Sequence, residues 1–212
     1  MRNFWKIGIL FGVILAAATT TQIPLLRSTS SIDSKDTKIF YPGQWKLESW
    51  ITVDDRIRGG KSISKLAETS GKNVIFSGSL DTTALGGAGF ASQQFWFEKP
   101  LDFNGYNSLI VRLTGNQKEE KMISINLYND YPSDRGDGRN KSQVVYKASF
   151  WPICESCSLL WSSFSPTYRG RDKPDEAPLD LTRITGISIM MQSFFNEQHG
   201  DFSIEFESIE LN

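Results

Sequence analysis

An all-β fold, an antiparallel β-sandwich or jelly roll, is what this sequence predicts, on three observations. From Trp45 onward apolar residues recur with a period of two, the spacing of a strand with one buried face. The alternating runs are short and separated by turn-forming connections such as Asn104-Gly105, Thr114-Gly-Asn116, Asp134-Arg-Gly-Asp-Gly138 and Gln198-His-Gly-Asp201. Aromatic residues make up 12% of the chain, with Phe 14 and Trp 6 beside Gly 17, a pairing that favours strands and turns over helices. At 212 residues the chain suits one domain with a substantial core. A formal net charge of -1 supplies no field that would recruit nucleic acid or an anionic membrane.

The N-terminus reads as an address, residues 1–18. Met1 to Lys6 is a short basic start, and Ile7 to Ala18 is an uncharged apolar run too short for a comfortable membrane span. Ala16-Ala17-Ala18 offers small residues for a signal peptidase, as in a secretory signal peptide. A mitochondrial presequence is the rival: no acidic residue precedes Asp33, Arg2 and Arg27 are basic, and hydroxyls cluster at Thr19 to Thr21 and Ser28 to Ser31. A transit helix is amphipathic, whereas Ile7 to Ala18 is apolar on all sides, so these residues alone favour the secretory route. Left uncleaved, the segment is a signal anchor and the one point of membrane contact. Residues 19–44, polar from Thr19 to Lys38, read as a tether, and 45–212 as the sandwich domain.

Strands are expected over Val74 to Leu80, Phe90 to Phe97, Leu109 to Leu113, Ile123 to Leu127, Val144 to Phe150, Ile187 to Met191 and Phe202 to Phe206. Ser62 to Ser70 suits a short helix. After Phe206 the next apolar positions are Ile209 and Leu211, so the phase slips and a bulge is expected near Glu207.

The stretch Trp50-Ile-Thr-Val-Asp-Asp-Arg-Ile-Arg-Gly-Gly-Lys-Ser62 is the most shaped loop in the chain. Asp54 and Asp55 can accept hydrogen bonds from neighbouring amides and start a turn. Gly59 and Gly60 can take positive φ or admit a second backbone. It is a structural corner or a binding loop. Asp55, Gly59, Gly60 and Ser62 are its candidate residues, and Arg169, on another glycine-punctuated segment, is the expected ion-pair partner of Asp55.

Catalytic and metal chemistry finds little to use. His199 is the one histidine and lies in a turn-like Glu-Gln-His-Gly-Asp, with no Gly-x-Ser-x-Gly elbow to serve. Asp54 and Asp55 as a glycosidase pair would diverge in an extended segment and need a distant partner such as Asp102 or Glu205. Cys154-Glu-Ser-Cys157 has the spacing of a redox pair or half a zinc site, but lacks a second cysteine pair and a following helix, which leaves a short-range disulfide or two plain thiols. Asn129 to Gly138 collects oxygen ligands without calcium-loop spacing. Arg135-Gly-Asp137 matches an integrin-binding tripeptide, common by chance, and Asn140-Lys-Ser142 is a glycosylation sequon, meaningful on the secretory route.

Several segments, in order, resemble the complex I intermediate-associated protein 30 family. They are Trp50 with Asp55, Gly59-Gly60 and Ser62; Phe76-Ser-Gly78; Gly89-Phe-Ala-Ser92; Leu101-Asp102 through Tyr106 to Leu113; Phe164-Ser-Pro-Thr-Tyr-Arg-Gly-Arg171; and the closing runs Ile184 to Met191 and Gly200 to Ile209. Arg58 departs from an apolar family position, Ala88 replaces a glycine, and Thr114-Gly-Asn-Gln117 lacks the family's Gly-Asp-Gly turn. The resemblance implies a galactose-binding-like jelly roll and a non-enzymatic, chaperone-like factor acting on assembly intermediates of mitochondrial NADH dehydrogenase (complex I). It implies protein partners, no cofactor and no catalytic residues. The alternative is a carbohydrate- or protein-binding jelly-roll module of the secretory pathway.

Overall fold

The computed structural model describes residues 37–115, 119–136 and 140–212. The targeting segment and most of the tether lie outside the described residues, as do Asn116 and Gln117 of one expected turn and Asp137 of the Arg-Gly-Asp tripeptide. Among the described residues thirteen strands run in order: β1 Lys38–Phe40, β2 Trp50–Thr52, β3 Ile63–Glu68, β4 Val74–Leu80, β5 Phe90–Leu101, β6 Ser108–Leu113, β7 Ile123–Tyr128, β8 Val144–Phe150, β9 Ser156–Leu160, β10 Ser165–Tyr168, β11 Arg171–Asp172, β12 Ile184–Gln192 and β13 Gly200–Leu211. They form two antiparallel sheets. One is six-stranded, in the order β3-β4-β13-β6-β9, with β1 also on β13; the other is seven-stranded, in the order β11-β10-β8-β7-β12-β5-β2.

The period-two residues face each other between the sheets. Val74, Phe76, Val111, Ile204 and Phe206 from one sheet, and Ile123, Ile125, Leu127, Ile187 and Ile189 from the other, are fully buried. The expected strands all form. The bulge is present too: Phe206 pairs with Leu113 and Ser208 with Arg112, so Glu207 is the extra residue, and Ile209 returns to the core.

Two expectations are corrected. The segment Ser62 to Ser70 is not a helix; Ile63–Glu68 is the edge strand β3, paired with β4. Its Lys, Leu, Ala and Glu suit a helix, but tertiary partners override propensity: the Ser64 amide donates to Asp54 at 3.0 Å instead of to a helical carbonyl. The tether also ends earlier than residue 44. Phe40 on β1 is 2% exposed, stacks on Trp45 at 5.3 Å and meets Trp50 and Phe95 at 5.1 and 5.0 Å. A lone aromatic in a polar stretch shows no periodicity, and its burial depends on partners distant in sequence. The strands β9 to β11 carry too little apolar alternation to stand out in the sequence.

Just past the bulge, Glu210 collects three strands. It accepts from the Ser208 hydroxyl at 2.7 Å and pairs with Arg112 of β6 at 3.2 Å and Lys38 of β1 at 3.8 Å. Burial pushes its pKa up, but the Ser208 hydroxyl and the Arg112 and Lys38 charges outweigh this and leave it below the ordinary value of 4.5. A depressed folded pKa stabilises above the unfolded value and loses that contribution as pH falls through the folded one. Glu210→Gln is therefore expected to be less stable than wild type at pH 7, with the gap closing on acidification below about pH 4; urea midpoints across pH measure it. Phe40→Ala is expected to cost about 3–5 kcal/mol in the same unfolding assay, whereas a tether residue in that place would cost nothing measurable.

Candidate functional site

Two features stand out above the core: a carboxylate corner and the outer face of the seven-stranded sheet. Asp54 is extended and Asp55 opens the 3-10 turn Asp55–Arg58, so successive side chains point apart. Both are buried, at 2% and 0% exposure. Asp55 accepts the Ser62 amide at 2.9 Å, the Ser62 hydroxyl at 2.7 Å and the Phe90 amide at 3.2 Å. Asp54 accepts the Ser64 amide at 3.0 Å, the Ser64 hydroxyl at 2.7 Å and the Ser92 amide at 3.0 Å. The acceptors thus serve distant amides rather than the neighbouring ones expected from the sequence. Ser62 and Ser64, two apart near or on β3, match Phe90 and Ser92, two apart on β5. Two adjacent carboxylates therefore fasten the edge of one sheet to a strand of the other.

The glycine pair divides the work. Gly59 ends the turn at φ 89°, in the left-handed region. Gly60 gives Asp55 its room: a Cβ there would stand 2.3 Å from the Asp55 Cγ. The Ser62 hydroxyl, besides donating to Asp55, accepts the Asp81 amide at 3.0 Å. Arg58, the departure from the family pattern, sets its guanidinium 5.5 Å from the centre of the Phe90 ring, so the charged residue caps an aromatic face in an apolar position's stead.

Arg169 does not belong to this corner. It donates to the Ser142 hydroxyl at 3.1 Å and lies over Tyr168 at 5.3 Å, in the β10–β11 turn, while the corner adjoins β2 at the opposite edge of the sheet. Opposite charge and glycine punctuation allow a pair, but strand order decides which loops meet. Cys154, in the connection from β8 to β9, and Cys157, on β9, are joined in a disulfide with Cα atoms 5.4 Å apart. Asn140 is exposed and bridges to Asp134. His199 is exposed in the loop before β13. Among the described residues no group of three or more His, Cys, Asp or Glu is placed to hold a metal ion.

The outer face of the seven-stranded sheet is invisible to a sequence reading that uses the inward half of each alternation. Register aligns Gln94, Ser188, Asn126 and Lys147 in one row across β5, β12, β7 and β8. Gln94 donates to the Tyr128 hydroxyl at 3.2 Å, Tyr128 and Ser188 share a hydrogen bond of 3.1 Å, and Asn126 donates to Ser188 at 2.9 Å. Burial pushes the Tyr128 phenol up to about 12, against the lowering effect of Ser188, so it stays a neutral hydroxyl. Trp96 lies across Gly186, where a Cβ would meet its ring at 2.4 Å, and packs on Tyr128 with ring centres 4.7 Å apart.

Fold and site together define a β-sandwich with a structural carboxylate corner and a polar, aromatic-walled face. Comparison places it further. The complex I intermediate-associated protein 30 family matches residues 39–206, and the chain belongs to that family. An uncharacterized protein of Schizosaccharomyces pombe is 37% identical over 187 residues, covering 79% of this chain and 80% of its own. Among solved structures, a family 11 carbohydrate-binding module from Clostridium thermocellum, in complex with a β-1,3-1,4-mixed-linked tetrasaccharide, superposes with a TM-score of 0.50 at 17% identity. That match covers 82% of this chain and 94% of the module. The likeness is one of fold, a galactose-binding-like jelly roll.

Asp55→Ala removes the acceptor of two buried donors and one partly buried donor and is expected to cost about 3–5 kcal/mol. Arg169→Ala should cost under about 1 kcal/mol, and the two losses should add, because the residues share no partner. Thermal and urea unfolding of the two single mutants and the double mutant give the answer; non-additivity would restore the pair.

Proposed function

We propose that this protein is a non-enzymatic, chaperone-like binding protein that acts on assembly intermediates of mitochondrial complex I. The observation that carries the reading is the extent of the family match, residues 39–206, which takes in nearly the whole sandwich and not one motif. The corner supports it from the chemical side. The oxygens of Asp54 and Asp55 are occupied by protein donors in a buried setting, which is how a carboxylate holds a fold. The outer face of the seven-stranded sheet is the surface on which a partner would be held.

A second reading, a secretory carbohydrate- or protein-binding module, draws on the apolar run Ile7 to Ala18, the exposed sequon at Asn140 and the Cys154–Cys157 disulfide, a bond typical of oxidising compartments. The experiment is fractionation of cells expressing the tagged full-length chain, with native gels of complex I subassemblies. Comigration with mitochondria, co-sedimentation with a subassembly and stalled assembly on deletion are expected. A chain that travels with the endoplasmic reticulum, carries glycan on Asn140 and leaves complex I unchanged on deletion supports the second reading and removes the first.

A further inference from the structure

The two sheets present unlike outer faces. On the six-stranded sheet the outward residues mix small, apolar and charged side chains, with charges open to water at Lys65 and Asp201. On the seven-stranded sheet five central outward residues are neutral and covered: Ser92, Ser124, Asn126, Tyr128 and Ser188 are each at most 3% exposed, while Asp172 of β11, in register with Thr167, puts a carboxylate at the edge of the same face. Phe90 to Trp96 on β5, Gly186 to Gln192 on β12, Ser124 to Tyr128 on β7 and Val145 to Ser149 on β8 put no carboxylate on this face, and Lys147 is their one charge.

Three observations mark the face as unfinished. Two of its buried atoms, the Asn126 Oδ1 and the Ser92 Oγ, have no hydrogen-bond partner among the described residues, although buried polar groups are ordinarily satisfied. Lys147, beside Asn126 in register, is partly buried, and among the described residues it closes no ion pair; its nitrogen lies 5.8 Å from the centre of the Phe194 ring. Burial lowers its pKa, only partly opposed by the charge of Asp172 on the edge strand β11, so an anion in contact is what this ammonium lacks. Finally, Phe194, Phe195 and Asn196 hold φ of 45°, 57° and 76° in succession, a left-handed run costly for aromatic residues. The run is pinned on either side: the Ser193 hydroxyl donates to the Gly87 carbonyl at 2.9 Å, and the Gln198 amide donates to the Met122 and Gln192 carbonyls at 2.8 and 2.7 Å. What the strain maintains is a fixed turn with Phe194 on Lys147 and Phe195 67% exposed.

We propose that this face docks an extended acidic segment of a partner polypeptide, with a carboxylate of the segment on Lys147 and apolar side chains against the Phe194–Phe195 turn. This rests on the reading of the protein as a binder of protein intermediates. Charge complementarity selects the occupant: around the row Gln94, Ser188, Asn126 and Lys147 the face holds one partly buried cation, and the carboxylates Glu98 and Asp172 stand only toward the far end of β5 and on the edge strand β11, which favours an acidic chain over a basic one at Lys147. A neutral glycan would leave Lys147 without a counter-charge, and a single cation is too few for a nucleic acid backbone.

The test uses the full-length protein and fluorescein-labelled decapeptides of alternating Asp and Ser or alternating Lys and Ser, with the mixed-linked tetrasaccharide as a third probe. The Asp-Ser peptide should bind and the Lys-Ser peptide should not. Lys147→Gln should weaken binding at least roughly tenfold, the scale of one charge-assisted hydrogen bond, without shifting the melting temperature. Phe194→Ala should weaken it too, while Lys65→Gln on the other sheet should leave it unchanged. Failure of the Asp-Ser peptide to bind, equal binding of both peptides, or undiminished binding by a folded Lys147→Gln overturns the proposal. Binding of the tetrasaccharide alone overturns it in favour of a glycan. Co-sedimentation with complex I subassemblies is scored on the same variants. If it persists in Lys147→Gln, the assembly reading stands and the assignment of this face falls; if wild type lacks it, the assembly reading falls whatever the peptides do.

Discussion

The sandwich depends on a pair of adjacent buried carboxylates that close one edge of it. Removing an anion from water costs several kcal/mol, and this is recovered only where donors converge on it. Asp54 and Asp55 meet that condition with amides and hydroxyls from Ser62, Ser64, Phe90 and Ser92. Because neighbouring residues in extended chain face opposite ways, one dipeptide reaches two rungs of the structure at once. The edge strand β3 has few buried side chains of its own, so these bonds supply register that hydrophobic alternation there does not.

The same constraint explains the loop's composition. Gly60 is required because the Asp55 carboxyl fills the space of a side chain, and Gly59 because the turn ends in left-handed backbone. Ser62 is required because its hydroxyl donates to Asp55 while accepting from Asp81, a double role no apolar residue of that size performs. The aromatic cluster around Phe40, Trp45 and Trp50 adjoins this corner through β2, and the Trp50 indole fixes the approach by donating to the Trp45 carbonyl at 2.8 Å.

How much of this is legible in the sequence follows from what alternation can carry. The long central strands, the bulge at Glu207 and the sandwich class are readable because a buried face repeats every second residue whatever lies opposite. The membership of the corner is readable for Asp55, Gly59, Gly60 and Ser62, which are close in sequence, and not for Arg169, whose neighbours are set by strand order. The strand β3 and the buried Phe40 mislead for a shared reason: each is held by partners not visible from its own segment, Asp54 and β4 for the one, Trp45 and Phe95 for the other. The outer face of the seven-stranded sheet leaves no trace at all, because Gln94, Asn126, Lys147 and Ser188 look like ordinary solvent positions until register sets them side by side.

Corner and face are joined through β5. Ser92 donates its amide to Asp54, its carbonyl accepts the Val53 amide at 2.9 Å, and its side chain stands on the outer face with Gln94. Two residues earlier, Phe90 donates its amide to Asp55 and sets its ring under Arg58. The Gly87–Gly89 segment leading into β5 is held by Ser193, the residue before the strained aromatic turn. A short stretch of backbone therefore links the buried carboxylates to both the floor and the rim of the face. The left-handed aromatic run persists because the Ser193 and Gln198 side chains hold it on either side, since strain survives only where the surrounding structure over-determines it.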